Sequence, residues 1–237
     1  MRAQRNISDM TIFHAIVATM PIMFGYVSGG IAFGLLLASK GIPWIFAPIM
    51  SLFVYAGSMQ FIAIQFFLSN ANLITIAIIT LLINCRHMLY GLSLLDKFNL
   101  TGKLKPYMIF TLTDETYALL TTLKEPNSIN KTKFYIYISA LNHFYWVFGT
   151  ILGAIMGNAI KFNTLGLDFT LTALFLVILL EQLRSYKTRL PFWIGATCAI
   201  ISIFVAGKEN MLLPSIIFST LLLIIFKGTV IAQNERN

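Results

Sequence analysis

The 237 residues are 57% hydrophobic and 11% charged, whereas soluble domains run nearer about 45–50% and about 25%, so a water-soluble fold could not hide this much apolar surface. The net charge of +8 sits mainly on lysines and arginines between the apolar runs, the pattern of loops held near a membrane surface rather than of a nucleic-acid partner. The two cysteines, Cys85 and Cys198, each lie inside an apolar run, which leaves neither a disulfide framework nor a CxxC metal site, and no cofactor is expected.

No Asp, Glu, Lys or Arg occurs from Met10 to Ser39, from Gly41 to Cys85 or from Phe134 to Ile160. A bilayer core needs about 20 apolar residues of helix, and each stretch exceeds that. Lipid-exposed backbone must pair within its own segment or in a closed barrel, and the runs lack the period-two alternation of barrel strands. The sequence therefore predicts an all-α, polytopic transmembrane helix bundle, one domain over 1–237. Apolar segments fall at 12–38, 43–69, 72–95, 107–123, 134–160, 166–183, 190–206 and 211–227, about seven to eight in all.

The first segment follows Arg2 and Arg5 as a signal peptide would, but its length, Pro21 and its glycines predict a retained helix. Gly25, Gly29, Gly30 and Gly34 recur there at helical spacing, as Gly149, Gly153 and Gly157 do in the fifth segment. Small residues four apart let helix backbones approach closely. The plain reading is packing within the bundle, with close-approach surfaces left for a further helix; the sharper one is an internal repeat of the kind transporters use. The second segment carries Tyr55-Ala56-Gly57-Ser58-Met59-Gln60-Phe61 at its middle. Gly57 and Ser58 would expose backbone there, and Gln60 can donate and accept, which suits interhelical bonding or the passage of a zwitterion.

Ionisable groups inside a membrane cost about 2.5 kcal/mol upward and are functional hypotheses by default. In the third segment Asn84-Cys85-Arg86-His87-Met88-Leu89-Tyr90 places Asn84 and His87 on one helix face and Arg86 and Tyr90 on another. Arg86 either snorkels to headgroups or is paired inside the bundle, where a buried cation needs an acid. The fourth segment, 107–123, is interrupted by Leu112-Thr113-Asp114-Glu115-Thr116. Thr113 can cap a short helix whose first turn carries Asp114 and Glu115, and a broken or re-entrant helix bearing acids is also how transporters build substrate and ion sites. Asp114 is the residue expected to titrate. In the fifth segment His143 follows Asn142 and precedes Tyr145-Trp146, a core histidine or part of a proton path. Asp168 reads as a helix cap and Glu181 as interfacial. Phe61, Met59 and Leu89 are candidates for an apolar wall.

Orientation follows from the basic loops. Eight spans with the N-terminus inside place ten Lys and Arg on the cytoplasmic side against six; if 107–123 only dips in, seven spans with the N-terminus outside give twelve against four.

The Tyr55–Phe61 run, the Asn84–Tyr90 run, Leu112–Glu115 and the stretch with Asp168-Phe169 and Ala173-Leu174-Phe175 resemble, in that order and spacing, the AzlC family. The resemblance runs from about Pro21 to Leu180 and is carried by the Arg-His and Thr-Asp-Glu elements together. It implies the large subunit of a bacterial exporter of branched-chain amino acids: valine, leucine, isoleucine and also methionine. It further implies an ion gradient as driving force and a small membrane partner of the AzlD type. Ser58 stands where the family commonly has Ala, and Asn84 where some members have Asp, which removes a possible titrating group. Rival classes are an exporter of another small metabolite, a non-transporting structural subunit, an intramembrane enzyme and a channel. The chain has no HExxH, no GxSxG and no paired cysteines, so an enzyme is not expected, and no repeated filter segment supports a channel. A scaffold would tolerate neutral replacement of Arg86, His87, Asp114 and Glu115, and a transporter would not.

Overall fold

The computed structural model describes residues 2–69, 71–123, 129–159, 176, 179–180, 183–184 and 188–228. Among these it is helical, with no strand: α1 (Arg2–Ser39), α2 (Phe46–Phe53), α3 (Gly57–Leu68), α4 (Leu73–Ser93), α5 (Leu95–Asn99), a 3-10 turn (Gly102–Leu104), α6 (Lys105–Phe110), α7 (Asp114–Thr122), α8 (Lys131–Ala159), α9 (Leu190–Asn210) and α10 (Leu212–Ile225). Among the described residues four stretches are long and apolar enough to cross a bilayer, Met10–Ser39, Leu73–Ser93, Lys131–Ala159 and Leu190–Gly207. The chain is a multi-pass membrane protein.

The expected seven to eight segments do not all appear as continuous spans among the described residues. Segment 43–69 is split into α2 and α3, segment 107–123 into α6 and α7, and 211–227 yields the fourteen-residue α10. Segment 166–183, with Asp168 and Glu181, lies almost wholly outside the described residues. Average hydropathy is blind to a break of two or three apolar residues, which is why 43–69 read as one span. The break in 107–123 was expected from its acids; the one in 43–69 was not.

Each break has a local cause. At the end of α2 the amides of Val54 and Tyr55 both donate to the Met50 carbonyl, at 2.8 and 3.1 Å. Tyr55 then takes a left-handed φ of 42°, the helix-ending conformation that glycine usually supplies, and Ala56 is extended (φ −136°, ψ 90°) before α3 begins. At the end of α6 the Thr111 amide and hydroxyl both reach the Tyr107 carbonyl at 2.9 Å, and Thr113 (φ −114°, ψ 174°) opens α7, its hydroxyl accepting the Thr116 amide. Threonine hydroxyls compete with the helix ladder in this way.

Two compact units divide the chain. In the first, residues 1–71 and 83–170, α1 and α8 lie against each other along their glycines. A Cβ at Gly30 would stand 2.8 Å from the Thr150 amide, one at Gly149 2.7 Å from the Val27 carbonyl and one at Gly157 2.7 Å from the Ala38 Cβ; Gly34 faces Thr150 and Ala154, and Gly153 faces the Ile31 backbone. The two ladders therefore serve one helix pair. Apart from Gly25, which has nothing within 4 Å, they do not leave a surface for a further helix, as the sequence had suggested. A second packing centre joins Leu94, Phe98, Met108, Leu120, Phe134 and Ile138, so the polar stretch between α4 and α6 is anchored at its two ends by Phe98 of α5 and Met108 of α6. Lys97 Nζ donates to the Leu120 carbonyl at 2.6 Å and lies 5.1 Å above the Tyr135 ring, meeting the negative end of α7. The second unit, 72–82 and 171–237, contains α9 packed on α10, with Gly207 at a φ of 76° interrupting the end of α9.

Candidate functional site

Three consecutive-turn residues of α8 hold both broken helices. His143 lies with Nε2 3.2 Å from the Ser51 carbonyl of α2 and Nδ1 3.2 Å from the Tyr107 hydroxyl of α6. Asn142 Nδ2 donates to the Thr116 hydroxyl of α7 at 3.0 Å, and Trp146 Nε1 donates to Gln60 Oε1 of α3 at 2.7 Å. Gln60 in turn donates to the Ser51 hydroxyl at 3.0 Å. These α8 residues sit near the middle of the 29-residue helix Lys131–Ala159, so both breaks are pinned at mid-span. Interruptions at that depth are tolerated only where they are buried in protein or line a cavity.

From the other side α1 contributes Tyr26, the seventeenth residue of the thirty-residue stretch Met10–Ser39. Its hydroxyl donates to Glu115 Oε2 at 2.7 Å and lies 2.6 Å from the Thr113 hydroxyl, while its ring meets Trp146 edge-on at 5.7 Å. Thr113 is the cap of α7 and also lies 3.0 Å from Thr116 Oγ1, so one hydrogen-bonded chain runs from Asn142 through Thr116, Thr113 and Tyr26 to Glu115. Gly57 opens α3 beneath the Trp146 indole, where a Cβ would come within 3.1 Å of the ring. Ser58 follows it in the first turn, which has no side-chain cap at Ala56.

Arg86 of α4 reaches Asp114, with Nη1 2.8 Å from Oδ2 and the two side chains 31% and 39% exposed. Snorkelling is thus not its arrangement here. Tyr90, on the same α4 face, stacks on Tyr117 of α7 at 4.3 Å, and Ser93 donates to the Tyr117 hydroxyl at 3.3 Å. His87 is half-buried within electrostatic reach of Asp114 and Arg86; Asn84 is half-buried one helical turn before it. Of the suggested apolar wall, Met59 and Phe61 are buried, Phe61 against Phe33 of α1 at 5.5 Å, whereas Leu89 points outward at 66% exposure. Among the described residues no cluster of ligating side chains could hold a metal ion.

Sequence reasoning missed Tyr26 and gave no role to Tyr55, Ser51, Thr116 or Trp146. Tyrosine and tryptophan inside apolar runs are a signal in retrospect, since a buried hydroxyl or indole N–H must find a partner. The Trp146–Gln60 bond yields a stability prediction: Trp146→Phe leaves Gln60 Oε1 buried and unpaired, at a cost of about 1–3 kcal/mol, and adding Gln60→Leu recovers part of it. Thermal unfolding in detergent checks this; a double variant less stable than Trp146→Phe alone would contradict it.

The model of the AzlC protein family matches residues 21–160. The branched-chain amino acid transport protein AzlC of Bacillus subtilis is 39% identical over 199 residues, covering 84% of this chain and 78% of that protein. A Helicobacter pylori membrane protein is 39% identical over 209 residues (88% and 92%), and a Haemophilus influenzae membrane protein 34% identical over 220 (91% and 90%). No solved structure matches. The matched region contains both helix breaks, the Arg86–Asp114 pair and the α8 residues that join them, and with this coverage the chain belongs to the AzlC family.

Proposed function

We propose that this chain is the secondary-transport subunit of an exporter of branched-chain amino acids, valine, leucine and isoleucine, with methionine as a further substrate, driven by an ion gradient and assisted by a small AzlD-type membrane subunit. The observation that carries the reading is the meeting of two broken helices at the middle of α1 and α8, with Glu115 and Asp114 on the first turn of one and an uncapped first turn on the other. Discontinuous helices of this kind present dipole ends to charged substrate groups near the bilayer midplane. A branched-chain amino acid offers an ammonium, a carboxylate and an apolar side chain. The acids of α7 suit the ammonium, the first-turn N–H groups of Gly57 and Ser58 suit the carboxylate, and aromatic and aliphatic neighbours suit the rest. The Bacillus relative's name, which specifies branched-chain amino acid transport, supports the substrate class. Since most of the glycine surfaces are consumed within the chain, the requirement for a partner rests on the family resemblance alone.

Export of labelled leucine from vesicles, with and without the small subunit, tests the reading. Saturable, gradient-dependent leucine flux from the pair is the expected result, with little from this chain alone. Absence of leucine, valine and isoleucine flux from the complete pair would transfer the site to another small metabolite, and full flux from the single chain would remove the partner.

A further inference from the structure

Tyr55 combines three features that helix packing does not account for. It is a bulky residue held at a φ of 42°, a conformation that is strained without glycine and persists at ligand-binding and switch positions. It is only 4% exposed, yet among the described residues its hydroxyl makes no hydrogen bond of good geometry, not even to the neighbouring Tyr26 hydroxyl, a rare state for a buried polar group. That hydroxyl lies next to the Tyr26 hydroxyl, which itself donates to Glu115 Oε2 at 2.7 Å, and is within electrostatic reach of the same carboxylate. The ring is fixed from behind by His143 at 4.5 Å and Phe110 at 6.2 Å.

The two acids of α7 differ in what balances them. Asp114 is neutralised by Arg86 at 2.8 Å, and a salt-bridged pair offers a cation no net charge. Glu115 receives only the neutral hydroxyl of Tyr26 and has no cationic partner among the described residues. It is exposed on this chain at the depth of Tyr26, the middle of a span, where an unbalanced carboxylate must face water or a cation.

We propose that the substrate's ammonium group binds between the Glu115 carboxylate and the Tyr55 hydroxyl, beside Tyr26, so that Tyr55 is a substrate-contact residue and Glu115, not Asp114, supplies the countercharge. The proposal rests on the transport reading above and narrows it to one subsite. An ammonium has three donors; Glu115 and Tyr55 accept two of them, and the rings of Tyr26 and Tyr55 flank the positive charge, which aromatic faces favour.

The test uses the full chain with its partner in proteoliposomes, measuring leucine half-saturation and competition by two half-substrates, 3-methylbutylamine, which keeps the ammonium, and 4-methylpentanoate, which keeps the carboxylate. Tyr55→Phe preserves the ring and removes one oxygen. It should raise leucine half-saturation about tenfold, the weight of one hydrogen bond to a charged group, and weaken competition by the amine while leaving that by the acid unchanged. Glu115→Gln should abolish amine competition, and Glu115→Asp should restore part of it. If Tyr55→Phe does not assemble, the Glu115 variants carry the same comparison. Wild-type leucine export with unaltered amine competition in the variants would overturn the subsite while sparing the transport reading; absence of leucine export from the wild type would overturn the transport reading itself.

Discussion

Gly153→Val is expected to abolish assembly of the first unit. A β-carbon at this position would overlap the Ile31 backbone of α1, and neighbouring Gly149 and Gly157 leave the same helix no slack, with their own would-be β-carbons 2.7 Å from α1 atoms. The clash is with main chain, which no rotamer change relieves. Overpacking typically costs about 1–3 kcal/mol, and here the only escape is separation of α1 from α8, the pair that presents Tyr26 and Asn142–Trp146 to both helix breaks. The variant should therefore be recovered from membranes as aggregate, with no export. Gly25→Ala is the matched control, because nothing lies within 4 Å of that position and alanine favours helix by about 1 kcal/mol. Monodispersity after detergent extraction distinguishes the two. Equal yields of monodisperse protein from Gly153→Val and the wild type would show that α1 and α8 do not approach as closely as described.

How much of this was legible in the sequence depended on the kind of signal. Helical spacing of glycines announced close packing, because a missing β-carbon is a local property; that the two ladders meet each other is a long-range fact carried by no single segment. The Thr113-Asp114-Glu115 break could be read because acids in an apolar run have few explanations. The Tyr55-Ala56 break could not, since a tyrosine in the left-handed region leaves no trace in hydropathy and the glycine beside it, Gly57, is an ordinary first residue of α3 that makes room for Trp146. Residues were likewise found in proportion to their charge. Arg86 and the two acids stood out; Tyr26, Thr116 and Asn142, which connect them, are polar enough to bond and too ordinary in a membrane helix to be noticed.

The α8 residues explain why the breaks stay put. A helix interruption frees amides and carbonyls that lipid cannot satisfy, and three α8 residues reach all four half-helices, His143 binding α2 and α6, Asn142 α7 and Trp146 α3. Side chains replace the continuous ladder as the element that fixes the geometry.

Asp114→Asn is expected to lower gradient-driven export by about a hundredfold. The substitution keeps size and hydrogen-bonding capacity but leaves Arg86, now 2.8 Å from its acid, without a countercharge inside the membrane. An unpaired charge at such a position costs about 2.5–3.5 kcal/mol on insertion scales, and about 1.4 kcal/mol corresponds to a factor of ten. Arg86→Gln should fail in the same way from the other side, leaving Asp114 unbalanced. The double variant Arg86→Gln with Asp114→Asn separates structure from transport, because replacing both members of an ion pair held out of bulk water is often close to neutral for stability. It should regain the thermal stability that each single variant loses, and α4 and α7 would remain joined by the Tyr90–Tyr117 stack. Export should stay impaired if the charged pair takes part in the transport cycle. Recovery of both stability and export in the double variant would make the pair a structural tie alone. Undiminished export with unchanged pH dependence in Asp114→Asn would remove even that and leave Asp114 as a first-turn acid of α7, complementing the helix dipole beside the Thr113 cap.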